Sequence, residues 1–161
     1  MKAIERDFVT IIRDMIHSDE FKRMKTNKHH VNGTLFGHTV KVAYLCYKHH
    51  RRNKMKIDLS EFVRGALLHD YYLYDLHGDG EKHRFHWLRH PSIALENAKR
   101  DYPLLTKTQC DMIKHHMFPL TFIPPHTKAG WLVCFYDKVA AISDRFGKNK
   151  KFQKNFMINK T

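Results

Sequence analysis

The run Gly65-Ala66-Leu67-Leu68-His69-Asp70-Tyr71-Tyr72-Leu73 sets two strong metal ligands side by side where a buried helix would carry leucine or alanine. An unpaired carboxylate is too costly to desolvate inside a core, and a buried imidazole needs its ring nitrogens satisfied. Coordination to a metal removes both penalties at once. The plain alternative is a core histidine with ordinary partners beside an aspartate on the helix surface. Under either reading the chain must build its interior around this pair.

Four further stretches carry residues of the same chemistry. His38, in Gly37-His38-Thr39-Val40, opens an amphipathic segment in which Val42, Leu45 and Cys46 follow at helical spacing. His90 directly precedes Pro91, where the pattern predicts a helix start, because proline suits the first helical position. His115-His116 close another helical stretch. Asp137 lies within Trp131-Leu132-Val133-Cys134-Phe135-Tyr136-Asp137-Lys138-Val139-Ala140-Ala141. A helix this apolar on nearly every side is usually buried, so that carboxylate must face a cation or hydrogen-bond donors. Taken singly, each of the histidines is explained as a cap or a surface residue.

The ordered series His, His-Asp, His, His-His, Asp, with each member on or beside its own helical segment, resembles the HD-domain superfamily of metal-dependent phosphohydrolases. The likeness runs over about residues 29–144 and is greatest to the small stand-alone bacterial HD proteins. It rests on Gly33-Thr34-Leu35-Phe36-Gly37-His38, Arg64 through Asp70, His90-Pro91 through Ala98, and His116-Met117-Phe118-Pro119-Leu120-Thr121. By that resemblance, His38, His69, Asp70 and Asp137 would hold one metal. Asp70 would bridge to a second, completed by His90, His115 and His116. Neighbours on a helix point about 100° apart, so His115 and His116 share an ion only if the helix ends or distorts there. Phe118-Pro119 and Pro124-Pro125 lie close enough to end it, and His116 is the preferred ligand of the two. The superfamily's cyclic-dinucleotide enzymes follow their His-Asp pair with Gly-Lys and carry a later Gly-Tyr-Pro. Here Tyr71-Tyr72-Leu73 and Phe118-Pro119-Leu120 stand instead, which argues against that substrate.

The resemblance implies a phosphomonoesterase or phosphodiesterase acting on a small phosphate ester or nucleotide. Two cations bridged by Asp70 would acidify a shared water and neutralise the phosphoryl oxygens. Lys41 and Arg64 are the first candidates to position the anion, with Arg84, Arg89, Lys138 and Tyr74 behind them. Mixed imidazole and carboxylate donors suit iron, manganese, cobalt, nickel or zinc over calcium or magnesium, and a histidine-rich second site leans to iron or manganese. One alternative is a dinuclear iron oxygenase, as a few members of the superfamily are. Another is a non-enzymatic binder of nucleotides or nucleic acid that keeps metal for stability.

A chain of 161 residues is about one domain, expected as an HD domain over 1–147 followed by a basic tail, 148–161. Its formal charge of +13 would attract a phosphorylated substrate or nucleic acid, although no nucleic-acid-binding motif accompanies it. No apolar run approaches the roughly 20 residues of a membrane span. Met1-Lys2-Ala3-Ile4-Glu5-Arg6-Asp7-Phe8 lacks the pattern of an export signal. Cys46, Cys110 and Cys134 show no Cys-x-x-Cys spacing and fit small core residues in a reducing cytoplasm.

The expected fold is an all-α, single-domain bundle of about six main helices. Ile4, Phe8, Ile11, Ile12 and Met15 make one apolar stripe, and a second helix covers about residues 37–50. Asp58-Leu59-Ser60-Glu61 resembles a capping box before the third. Pro91 would open the fourth, Thr106-Lys107-Thr108-Gln109 would cap the fifth, and the last would run from Lys128 to a stop at Gly147. Of the two loops, residues 75–89, with His77, His83 and His86, would be a mobile cover. Residues 118–127 would be a packed wall of the pocket.

Overall fold

Three side-chain caps set the helix starts that frame this molecule. The Thr34 hydroxyl accepts from Gly37 N, an Asp58 carboxylate oxygen accepts from Glu61 N, and the Thr106 hydroxyl accepts from Gln109 N. Each satisfies a backbone donor that the first helical turn would otherwise leave without a partner. The computed structural model describes residues 3–24, 28–29, 33–72 and 86–145. In chain order its elements are α1 (Ala3–Ile16), α2 (Asp19–Arg23), β1 (Lys28–His29), β2 (Gly33–Thr34), α3 (Leu35–Asn53), α4 (Leu59–Leu68), α5 (His86–Asp101), α6 (Lys107–Lys114) and α7 (Lys128–Arg145). The result is an all-α bundle in which α3 packs on α4 and α7, α4 on α1 and α6, and α6 on α5 and α7.

Thr106–Gln109 forms the full reciprocal capping box, with the Gln109 side chain returning to Thr106 N at 3.0 Å. Asp58 caps α4, but Glu61 accepts from the Thr106 hydroxyl at 2.6 Å instead of closing its own box. That exchange ties the start of α4 to the start of α6. Three small elements, α2, β1 and β2, were not in the sequence pattern. Helix α2 has five residues, too few for periodicity to register, and starts at Ser18, whose hydroxyl accepts from Phe21 N. The strands are an antiparallel pair two residues long, with Lys28 opposite Thr34 and His29 opposite Gly33.

Pro91 does not open α5. The helix begins at His86 and contains Pro91 in its interior, where the ring nitrogen lacks the proton that an i−4 carbonyl would accept. The cost is one backbone hydrogen bond, and the helix runs through it. The stretch 118–127 also departs from expectation. Leu120, Phe122 and Ile123 are exposed, Phe122 at 92%, so this segment is not a packed wall. The His77 and His83 loop, Tyr74, Arg84 and the 148–161 tail lie outside the described residues.

The core gathers Phe8, Ile12 and Met15 from α1, Phe21 from α2, Val42, Cys46 and Tyr47 from α3, Phe62 and Leu67 from α4, and Met112 and Ile113 from α6. Tyr71 follows α4 and stacks on Phe21 with ring centroids 5.2 Å apart. Its hydroxyl donates to Asp101 at 3.1 Å. Cys46, Cys110 and Cys134 are unbridged; Cys46 and Cys134 are buried, in line with their reading as small core residues, whereas Cys110 is only half-buried.

At Gly65 the backbone of α4 packs closely against side chains of α6. A Cβ there would lie 2.7 Å from Met112 Cε, 2.9 Å from Met112 Sδ and 3.0 Å from Gln109 Cγ. Met112 has the rotameric freedom to yield to one methyl group, but not to a branched side chain. Gly65→Leu is therefore expected to cost about 1–3 kcal/mol as an overpacked core, read as a lower midpoint in urea with an unchanged slope.

Candidate metal centre

Helices α3, α4, α5, α6 and α7 each deliver side chains to one buried point. His38 comes from the first turn of α3, His69 is the C-cap of α4, and Asp70 is the residue after it. His90 lies within α5, His116 just past the end of α6, and Asp137 in the middle of α7. His38, His69, Asp70, His90 and His116 are all buried, and the Asp137 side chain is 13% exposed. Donor atoms of His38, His69, Asp70 and Asp137 form one convergent group, and those of Asp70, His90 and His116 form another.

Asp70 divides its two oxygens between these groups. Oδ2 faces His69 Nε2 at 3.5 Å and His38 Nε2 at 3.9 Å. Oδ1 faces His90 Nε2 at 3.2 Å and His116 Nε2 at 3.3 Å. Asp137 Oδ1 completes the first group, 2.9 Å from His38 Nε2 and 3.7 Å from His69 Nε2. Donors about 2.1 Å from a shared ion stand about 3.0 Å apart at a right angle and about 3.4 Å apart at the tetrahedral angle. The measured spacings bracket those values.

The imidazoles are oriented from behind by fixed acceptors. His69 Nδ1 lies 2.8 Å from the Ala66 carbonyl and His116 Nδ1 lies 2.8 Å from the Ile113 carbonyl. A carbonyl oxygen only accepts, so each Nδ1 carries the proton, and in the neutral ring each Nε2 presents a lone pair. His69 Nε2 is buried and makes no hydrogen bond, although two carboxylate oxygens stand before it. A lone pair aimed at anionic oxygens at that range calls for a cation between them. His38 is set by a carboxylate, with Nδ1 3.2 Å from Asp144 Oδ2. Lys41 Nζ donates to Asp144 Oδ1 at 2.6 Å and to Ser143 Oγ at 2.9 Å. Supports of this kind fix the tautomer and orientation of a metal-binding histidine.

The electrostatics agree with the donor set for Asp70, Asp137 and His116, whereas His38 is held as an imidazolium that would have to lose a proton to ligate an ion. Burial works against ionisation of Asp70 and Asp137, yet the surrounding histidines outweigh it and hold both carboxyls well below the usual range. Burial likewise opposes charge on His38, but Asp137, Asp144 and Asp70 overcome it and raise its pKa to about 10. For His116 burial wins and the pKa falls, which leaves the ring neutral and its lone pair available. Two ionised carboxylates in a protein interior need positive charge beside them.

Six of the seven metal ligands expected from the sequence, His38, His69, Asp70, His90, His116 and Asp137, thus meet in space. His115 does not join them. It is the C-cap of α6, and its Nδ1 lies 2.8 Å from Asp111 Oδ1, on a separate cluster with His126. The helix ends at Lys114, but the turn that follows carries the two neighbouring rings apart. Arg64 is also elsewhere, paired with Asp14 at 2.9 Å on the outer side of α4. Lys41 is near the centre but committed to Asp144. Lys138 Nζ donates to the carbonyls of His116 and Cys134 at 3.0 and 3.1 Å, so it braces the peptide of a candidate ligand. Arg89 is exposed on α5.

The residue missed from sequence is Asp144. It stands seven positions after Asp137, two helical turns on, which puts both carboxylates on the same face of α7. That spacing was the available signal. Comparison of the chain with family models, curated proteins and solved structures gave no match.

Proposed function

We propose that this protein is a dinuclear metal-dependent phosphohydrolase of the HD type, acting on a small phosphate ester or nucleotide. The observation that carries the reading is Asp70, one oxygen of which faces each of two convergent donor groups. His38, His69, Asp70 and Asp137 would hold one divalent transition-metal ion, and Asp70, His90 and His116 the other. Such ions supply Lewis acidity toward phosphoryl oxygens and a water acidic enough to serve as nucleophile near neutral pH. The donor set of imidazole and carboxylate favours iron or manganese, with zinc, cobalt or nickel as further occupants.

The chain's own residues provide the frame. His69 and His116, locked by backbone carbonyls, keep their protons on Nδ1 and away from the reacting side. Asp144 and Lys41 hold His38 in register from behind. Two carboxylates balanced against two divalent cations leave the centre net positive, a charge that a phosphate ester would neutralise. The formal +13 of the whole chain acts in the same direction at longer range, raising the local concentration of anions.

The test is metal analysis of protein purified without chelator, followed by a panel of phosphomonoesters, phosphodiesters and nucleotides with added manganese or iron. About two ions per chain and metal-dependent release of phosphate or nucleoside product are expected. Metal at 100 times its dissociation constant should stabilise the fold by about 2.7 kcal/mol, which for a chain of this size raises Tm by about 5–11 °C. No turnover on the whole panel, together with a Tm indifferent to every metal, would remove the proposal.

A further inference from the structure

Asp111, His115 and His126 form a second convergent set of donors, apart from the centre around Asp70. Asp111 lies on the last turn of α6 and His115, four residues on, is its C-cap, while His126 arrives from the segment leading into α7. Asp111 Oδ1 is 2.8 Å from His115 Nδ1 and 3.1 Å from His126 Nδ1. The two rings meet edge to face with centroids 4.9 Å apart, and the three donor atoms fall within 4.8 Å of one another.

The carboxylate is preset for this task. Its Oδ2 accepts from Thr127 N at 2.9 Å and from the Thr127 hydroxyl at 2.6 Å, and both oxygens take the His126 amide. Those bonds hold Asp111 in one rotamer with Oδ1 turned to both imidazoles, as outer partners do at metal sites. They also occupy the space beside α7, since a Cβ on Gly130 would come within 2.5 Å of Asp111 Oδ2. The Asp111 side chain is 7% exposed, that of His115 16% and that of His126 67%. The cluster is thus anchored at its base and reachable at its mouth. It opens on a cavity of about 660 Å³ lined also by Lys99, Lys107 and Lys114, whose charges favour an anion or water-derived hydroxide as the remaining ligand.

We propose that Asp111, His115 and His126 form a third metal site, peripheral to the Asp70 centre and suited to zinc. One carboxylate and two imidazoles with an open fourth position match the preference of zinc for tetrahedral nitrogen and oxygen donors. As the ion enters, each ring turns its Nδ1 lone pair to it and carries its proton on Nε2. The site draws on no residue of the Asp70 centre.

The experiment is a zinc titration of the full chain, stripped of metal, against a chromophoric chelator. His126→Ala removes an exposed side chain, keeps the backbone amide that holds Asp111, and is expected to bind one zinc fewer per chain or to bind it roughly 100-fold more weakly. Asp70→Ala should retain this zinc while losing those of the other centre, so failure here and failure of the phosphohydrolase reading give different patterns. His17→Ala, at another exposed histidine, should change nothing. An unchanged titration in His126→Ala overturns the proposal, and so does an equal loss in His17→Ala, which would mark the binding as nonspecific.

Discussion

If the protein is the dinuclear phosphohydrolase proposed, Asp70→Ala is expected to abolish binding of both ions at the central site and the hydrolysis that depends on them. Among the described residues Asp70 is the one shared by both central donor groups. Every other candidate ligand serves a single group, so His116→Ala and Asp137→Ala should each weaken one ion and spare the other. Metal-borne catalysis contributes several kcal/mol of charge stabilisation in the transition state, and a loss of about 4 kcal/mol is about a thousandfold in rate. Metal analysis of the three variants, with rates on whichever substrate the panel selects, measures both effects. The same Asp70 variant should lose the share of the metal-dependent rise in Tm that the two central ions supply, keeping only that of the peripheral zinc. Two ions retained in Asp70→Ala would refute the bridging role.

Lys41→Met is expected to destabilise the fold by about 3–5 kcal/mol, because it leaves the Asp144 carboxylate buried without its ammonium partner. The side chains of this pair are only 10% and 4% exposed. For a chain of this length the loss lowers Tm by about 6–20 °C in thermal unfolding followed by circular dichroism. Arg64→Met should cost about 1 kcal/mol or less, since its partner Asp14 is 63% exposed and water already screens the pair. The contrast separates two roles for Lys41. A substrate clamp would raise KM and leave Tm alone, whereas a brace for Asp144 lowers Tm and, through His38, weakens the first ion. Lys41→Met combined with Asp144→Leu removes both buried charges and should recover much of the stability, but not the orientation of His38.

The site was legible in the sequence where a polar residue interrupted an apolar pattern. His69-Asp70 breaks a run that otherwise describes a buried helix, so desolvation alone demanded a partner. The helix around Asp137, by contrast, is not buried on nearly every side as its apolar run suggested, since Trp131, Phe135, Val139 and Ile142 are exposed on it. His38, His90 and His116 were legible only in combination, because a single histidine near a helix end has ordinary explanations. His115 could not be separated from His116 by type, and the turn after Lys114 decided between them. Lys41 and Arg64 carry the same charge in the sequence but have different fates. Lys41 shares a helix with His38 and meets Asp144 across the bundle, a contact spanning 103 residues, which no local pattern encodes.

The fold was legible through caps more than through periodicity. The Asp58 and Thr106 side chains start α4 and α6 by a local hydrogen bond, and a local signal survives in sequence. Helix α2 and the β1–β2 pair are too short to carry a period and are set by what packs around them, as Phe21 against Tyr71 and Phe36 shows. Pro91 misled because its position rule concerns the first turn, while α5 extends back to His86 and absorbs the missing donor.

Five helices separated along the chain each lend the centre at least one donor, and no pair of neighbouring helices holds a complete set. Partial melting of any one of them would dismantle it. Cation release and loss of tertiary order are therefore expected as one cooperative event, so that a metal-sensitive dye would report the same midpoint as a probe of global unfolding.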